Sequence, residues 1–219
     1  MRMVLTSDLH GYLPEIPPCD VLLIAGDLCP IENHDIGYQA ERLRTRFVQW
    51  MEQVPARQVF FIAGNHDFIF AELPELLQGL SWPGTYLQDS GAVWEGIHFW
   101  GTPWANELPD WPFTASEEEL QQHWGKIDPE TQILIVHGPP WGYGDVVIGS
   151  ITGDELNVGS RSLVHRLEEL PKLRLVVHGH IHEGAGARQR QNVRIVNASL
   201  MNVHYEPTQP LQILEWPLT

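Results

Sequence analysis

Cysteine is scarce in this 219-residue chain: it has two, Cys19 and Cys29, and neither belongs to a CxxC pair. That excludes a disulfide framework and points to free thiols in a reducing compartment. Long apolar runs are also lacking. None approaches the roughly 18 residues of a membrane span. The first residues carry one arginine but no extended apolar stretch, so no secretory leader is legible and the cytoplasm is the expected location. Positive charge is the third shortage, with 13 Lys and Arg against 28 Asp and Glu and a formal net charge of -15. So acidic a balance excludes a surface that coats nucleic acid, because phosphate backbones select Lys and Arg. A small anionic substrate stays compatible if metal cations supply the local positive charge. Nothing in the composition specifies an oligomeric state.

What remains is ordinary for a globular protein: 43% hydrophobic residues and a length that suits one domain over residues 1–219. There is neither an internal repeat nor a low-complexity tail. Residues 2–7, 20–25, 58–63, 132–136 and 173–177 are short, nearly continuous apolar runs of the kind that form strands buried on both faces. Between the second and third, Ile36, Ala40, Leu43, Phe47, Trp50 and Val54 recur at spacings of four and three, which predicts an amphipathic helix over 34–53. Tyr86, Val93 and residues 97–101 read as short antiparallel strands. Residues 115–124 form a second helix, with Ser116 as N-cap and Glu117, Glu118 and Glu119 complementing the dipole of its first turn. Residues 138–159, with six glycines and two prolines, read as loop. A helix over 160–170 and strands at 193–196 and 211–215 follow. Apolar strands alternating with amphipathic helices predict an α/β fold, a two-sheet mixed β-sandwich flanked by helices.

Polar clusters sit where the apolar runs end. They are Asp8-Leu9-His10, Gly26-Asp27, Gly64-Asn65-His66-Asp67, His137-Gly138 and Gly179-His180-Ile181-His182. Loops at the carboxyl ends of strands gather at one edge of an α/β sheet and build sites there. The donors are carboxylate, amide oxygen and imidazole, a set that suits Mn, Fe, Zn, Co or Ni. Two divalent ions would bring +4, Asp8 and Asp27 -2 and a bridging hydroxide -1. The remaining positive charge can hold a phosphoryl group, and two such ions can activate water for in-line attack. His66, next to Asn65, can face the substrate and assist the leaving oxygen, with Asp67 holding its tautomer.

Five motifs in this order, DLH, GD, GNHD, HG and GHIH, resemble the series of the calcineurin-like metallophosphoesterases. HGPPWGYGD at 137–145, GHIHEGAG at 179–186 and VNAS at 196–199 resemble more closely the metallophosphoesterase-domain-containing branch. The resemblance spans residues 8 to 182. It implies that Asp8, His10, Asp27 and His182 hold one metal and Asp27, Asn65, His137 and His180 a second, with manganese the first expectation. It also implies that His66 is the catalytic histidine, and that Asn65 and His66 meet the substrate. The arginines that follow the second and third motifs in the family's protein phosphatases are absent here, which disfavours a phosphoprotein substrate. The expected activity is hydrolysis of small phosphodiesters, nucleotide-like ones among them. The alternatives are a monoesterase or nucleotidase, and a metal-holding nucleotide-binding module with little turnover.

Other residues get plainer readings. His34, His98, His123, His165 and His204 read as surface or core histidines. His178 alternates with His180 and His182, so an unbroken strand would bring all three to one face; the motif series leaves it to packing. Asp145 and Glu183 read as loop acids near the site. Trp104 and Trp141 lie in loops that can reach it, where an aromatic ring can stack on a base.

Overall fold

The computed structural model describes residues 1–148 and 153–218. Its strands are β1 (Arg2–Thr6), β2 (Cys19–Ala25), β3 (Ala56–Ile62), β4 (Thr85–Tyr86), β5 (Ser90–Trp94), β6 (Ile97–Thr102), β7 (Ala105–Asn106) and β8 (Thr114–Ala115), followed by β9 (Ile133–Val136), β10 (Val146–Ile148), β11 (Glu155–Asn157), β12 (Leu175–His178), β13 (Gly186–Arg190), β14 (Val193–Asn197) and β15 (Gln212–Glu215). Its α-helices are α1 (Ile36–Arg42), α2 (Val48–Met51), α3 (Phe68–Glu72), α4 (Glu117–Gly125) and α5 (Arg161–Glu168).

Two mixed sheets carry the fold. One has the order β15-β1-β2-β3-β4, the other β13-β14-β12-β9-β6-β5. In the first, β1 to β4 run parallel and β15 closes one edge antiparallel. In the second, β14, β12, β9 and β6 are parallel and the two edge strands are antiparallel. The alternation of side chains along each strand explains the layering. Met3, Leu5, Leu23, Phe60 and Ile62 face Phe99, Ile133, Ile135, Val177 and Val196 in the core between the sheets. Val4, Leu22, Ile24 and Phe61 face outward onto Leu43, Phe47 and Met51. Leu134, Val136, Val176 and Ile195 pack against Leu120 and Trp124 of α4 and Leu163 and Leu167 of α5. Each such side chain contributes about 1.5–3 kcal/mol by leaving water. The predicted two-sheet α/β sandwich is thus the observed one.

Some elements depart from the sequence reading. The helix of 34–53 begins at Ile36, passes through a π-helical turn at Leu43–Phe47 and ends at Met51. Pro55 explains the early stop, since the residue before a proline avoids the helical region. The strand at Tyr86 pairs parallel with β3, not antiparallel. The segment read as loop over 138–159 carries the antiparallel pair β10–β11. Its strands have exposed or half-exposed faces, and without a buried stripe they leave no hydrophobic period to detect.

Candidate metal centre

Every polar cluster follows a strand of the two sheets, and strand-like pairing continues into the clusters. Asp8 N–H donates to the Gly26 carbonyl at 3.0 Å, Gly179 N–H to the His137 carbonyl at 3.1 Å, and Leu200 N–H to the Ser7 carbonyl at 3.1 Å. These bonds carry the ends of β1, β2, β9 and β12 to one place. There the backbone turns sharply: Asp8, His10, Asp27 and His180 have φ of 54°, 44°, 55° and 67°. Left-handed conformations at non-glycine residues cost about 1–3 kcal/mol each and persist where the surroundings over-determine them. Four of the seven predicted ligands are held this way. Neighbouring glycines make room. Gly26 has φ of 100°, and a Cβ there would come within 2.6 Å of His137 Nδ1. A Cβ on Gly179 would collide with Ser7 and Asp8.

The predicted ligands converge in two sets that share one oxygen. Asp27 Oδ2 lies 3.6 Å from His10 Nε2 and 3.4 Å from His137 Nε2. On the first side, His182 Nε2 is 3.5 Å from Asp8 Oδ1. On the second, Asn65 Oδ1 is 3.0 Å from His137 Nε2 and 2.9 Å from His180 Nδ1. Donor atoms of Asp8, His10 and His182 all lie within 4.8 Å of one another, as do those of Asp8, Asp27 and His137, and those of His10, Asp27 and His66.

The surroundings orient these donors. His182 Nδ1 faces the Asn202 carbonyl at 3.0 Å, and His137 Nδ1 faces the Ala25 carbonyl at 2.8 Å. A carbonyl only accepts, so both rings carry a proton on Nδ1 and turn Nε2 inward, the nitrogen that a metal would take. Asp8 accepts the His180 N–H with both carboxylate oxygens, at 3.0 and 3.1 Å. Asp27 Oδ1 accepts the His66 N–H at 2.8 Å, which leaves Oδ2 for the shared position.

The donor chemistry fits metal cations. Both ring nitrogens of His10 are buried without a hydrogen-bond partner, a costly state that a cation at Nε2 would relieve for that nitrogen. Burial pushes the His10 imidazole down to about 4, so it is neutral at pH 7. Burial also acts against charge on His137, but the Asp27 and Asp8 carboxylates and the Ala25 carbonyl outweigh it and lift this ring to about 9. Burial would raise Asp8, yet the hydrogen bond and charge of His182 hold it below the usual carboxylate range. The two buried carboxylates are therefore arranged around positive charge.

Several residues do something other than the sequence suggests. Asp67 does not hold His66. Its carboxylate accepts the N–H groups of Leu28 at 2.9 Å, Cys29 at 2.8 Å and Gly64 at 2.8 Å, and so braces the loops after β2 and β3 against each other. The partner of His66 Nδ1 is His34, whose Nε2 lies 3.3 Å away. Trp104 turns from the site to hydrogen-bond Asp89 at 3.1 Å and to lie against His123, and Trp141 lies beneath Arg161. The aromatic rings at the site are instead Trp111, 4.6 Å from the ring of His66, and Tyr205, 5.0 Å from those of His10 and His182. Both come from loops with no periodicity or motif to mark them. Gln39 is a further buried contributor. Its amide donates to the His66 carbonyl at 2.8 Å and accepts the Ile69 N–H at 3.0 Å. Asp145 is fully buried and accepts from Asn157 and the Gly159 N–H, so it ties down the end of β11. His178 stays in β12 beside Asn197 of β14, outside the donor sets. The left-handed turn at His180 breaks the alternation that would have aligned it with the ligands.

The chain resembles known proteins over most of its length. The family model for calcineurin-like phosphoesterases matches residues 1–184. The chain is 31% identical to metallophosphoesterase domain-containing protein 1 of Homo sapiens, and equally to that of Mus musculus, over 99% of its own length and 71% of theirs. Among solved structures it is similar to a dimetal phosphatase from Danio rerio, with a TM-score of 0.57 at 11% identity over 95% of this chain and 89% of that one. It is similar also to an archaeal phosphodiesterase, with a TM-score of 0.51 at 15% identity over 99% and 94%. At these identities the two structures share the fold. On the family match and the curated relatives, the chain belongs to the calcineurin-like phosphoesterase family.

Proposed function

We propose that this protein is a dinuclear metal-dependent phosphoesterase acting on small phosphodiesters, nucleotide-like ones among them. The observation that carries the reading is Asp27 Oδ2, placed between His10 Nε2 and His137 Nε2 at 3.6 and 3.4 Å, so that one carboxylate serves two donor sets. Asp8, His10, Asp27 and His182 would hold one ion, and Asp27, Asn65, His137 and His180 the other. When bound, two divalent ions supply Lewis acidity and lower the pKa of water; manganese is the first choice, and Fe, Zn, Co or Ni suits the same donors.

The chain's own contribution is placement. Asp27 and Gln39 fix the backbone of His66 on both sides. Its ring then stands beside the shared carboxylate, where Nε2 can donate to a phosphoryl or leaving oxygen. Trp111, Tyr205 and His34 surround that ring. With aromatic and imidazole groups rather than arginines around His66, a singly charged diester suits the site better than a doubly charged monoester. The likeness to the Danio rerio dimetal phosphatase keeps monoester hydrolysis as the second reading. The free, buried thiols Cys19 and Cys29 suit the cytoplasm as the compartment. Among the described residues no helix is long and apolar enough to cross a membrane.

The test loads metal-free protein with each candidate metal and compares bis(p-nitrophenyl) phosphate with p-nitrophenyl phosphate, with metal content measured on the same samples. Two ions per chain and faster diester cleavage are expected. One ion or fewer would overturn the dinuclear reading, and a much faster monoester reaction would overturn the diester preference. Tight nucleotide binding with no turnover under any metal would make the protein a binding module.

A further inference from the structure

His34 lies outside every motif, yet its Nε2 is 3.3 Å from Nδ1 of His66. Two neighbouring rings set its orientation. It stacks on Phe68 at 4.9 Å with 23° between planes, and Trp111 meets it edge-on at 5.4 Å. The backbone beneath it is also fixed. Asn33 Oδ1 accepts the Asp35 N–H at 2.8 Å, and Asp35 in turn caps α1 by accepting the Tyr38 N–H at 2.9 Å. His66 is held from its own side, through its N–H to Asp27 and its carbonyl to Gln39. Two independently anchored imidazoles therefore meet nitrogen to nitrogen.

We propose that His34 is the positioning residue of His66: it donates its Nε2–H to His66 Nδ1 and thereby keeps the proton of the neutral His66 ring on Nε2. The choice of donor follows from what His66 must face. Nδ1 is taken by His34, so Nε2 is the atom available to an anionic phosphoryl group. An Nε2–H attracts such a group, whereas an Nε2 lone pair would repel it. In a neutral imidazole one nitrogen donates and the other accepts, so an Nε2–H on His66 requires Nδ1 to accept. His34 is the group placed to donate there. Asp67, the acid next in sequence, is committed to the N–H groups of Leu28, Cys29 and Gly64 and cannot take this role. An imidazole partner differs from a carboxylate in an important respect. A carboxylate only accepts and would draw the proton of a neutral ring to Nδ1, whereas His34 can leave it on Nε2.

This assignment rests on the proposed role of His66 in phosphoester hydrolysis, but its test does not depend on turnover. The zinc-loaded protein, which is diamagnetic, is labelled with 15N and its histidine rings are read by long-range 1H–15N correlation. The His66 ring is identified as the signal set missing from His66→Ala. The expected result is the Nε2–H tautomer in the wild type and in His34→Gln, whose side-chain amide can still donate. His34→Phe keeps the stacking but removes the donor, and should release the His66 tautomer with zinc content unchanged. In parallel, kcat is measured across a series of phenyl phosphodiesters whose leaving phenols differ in acidity. His34→Phe should lower kcat about 10–100-fold, on the scale of losing the outer partner of a metal-ligating histidine. It should fall most for the poorest leaving groups and with little change in KM, while His34→Gln stays near wild type. An Nδ1–H tautomer in the wild type, or a His66 signal unchanged in His34→Phe, overturns the proposal. If the tautomer depends on His34 but the wild type cleaves none of the esters, the positioning role stands and the phosphoesterase reading falls.

Discussion

Asp27 has two oxygens with separate tasks. Oδ1 accepts the His66 N–H and Oδ2 lies between two imidazoles. His66, by contrast, has its main chain tied down and its ring turned toward the site. Replacing it with alanine should lower kcat by about 10²–10³-fold, the range for losing a donor aimed at developing charge, with metal content unchanged. Kinetics paired with elemental analysis checks this, and loss of metal in His66→Ala would make the residue a ligand instead. The convergence of the candidate ligands is legible in the sequence because their motifs are local: each is two to four residues at the end of an apolar run, and β-strand geometry does the rest. His34, Trp111 and Tyr205 are not legible. They lie far along the chain from one another, in loops whose course is set by side chains such as Asp35 and Asn202 rather than by any repeating pattern. Asp67 departs from expectation for a related reason. Adjacency to His66 suggests a partner, but the turn after β3 points its carboxylate at backbone donors.

The helices show where sequence patterns hold and where a third element intervenes. The N-terminal signature of α4 is fully realised: Ser116 caps the helix, and Glu119 reaches back to the Ser116 N–H. Glu117 reads in the sequence as one more acid suited to the helix dipole, yet its carboxylate crosses to the start of α5. There it accepts the Arg161 N–H at 2.8 Å, the Ser162 N–H at 3.1 Å and the Ser160 hydroxyl at 3.1 Å. No sequence window contains both ends of that contact, which bridges more than 40 residues. Partial burial tends to raise the Glu117 pKa, but the donors from Ser162, Arg161 and Asn106 outweigh it and hold the carboxyl below the usual range. A folded-state pKa that is depressed stabilises the protein above the unfolded value, near about 4.3 for Glu, and that stabilisation is lost as pH falls through the folded value. Glu117→Gln should therefore lower stability at pH 7 by about 1–2 kcal/mol, since the group is partly solvated. At about 2–4 °C per kcal/mol for a chain of this size, the melting temperature should drop by about 2–8 °C. The gap between variant and wild type should close as pH falls below about 4. Thermal melts at several pH values measure it, and a gap that widens with acid would contradict the assignment.

At the scale of the whole molecule, the centre is a seam between two sheets. Asp8, His10, Asp27 and Asn65 come from the sheet of β1, β2 and β3, whereas His137, His180 and His182 come from the sheet of β9 and β12. Each donor set takes members from both: His182 joins Asp8, and His137 and His180 join Asn65. Metal binding there would couple to the packing of one sheet on the other as well as to local loops. Ligands that bind only the folded state stabilise it by mass action, by about 2.7 kcal/mol at a hundredfold excess over Kd. For a chain of this length that corresponds to a rise of about 5–10 °C in melting temperature on loading, reversed by a chelator. Asp27→Ala separates this from non-specific binding to an acidic surface. The variant removes the shared oxygen and one buried negative charge, so it should lose the metal-dependent rise almost entirely. Its metal-free melting temperature should change far less than the span of that rise, because His137 then sheds its compensating charge. Calorimetry of both proteins with and without metal decides the matter. A wild-type melting temperature indifferent to metal, or an Asp27→Ala variant that keeps the full rise, would show that the two sheets do not meet at a shared metal centre.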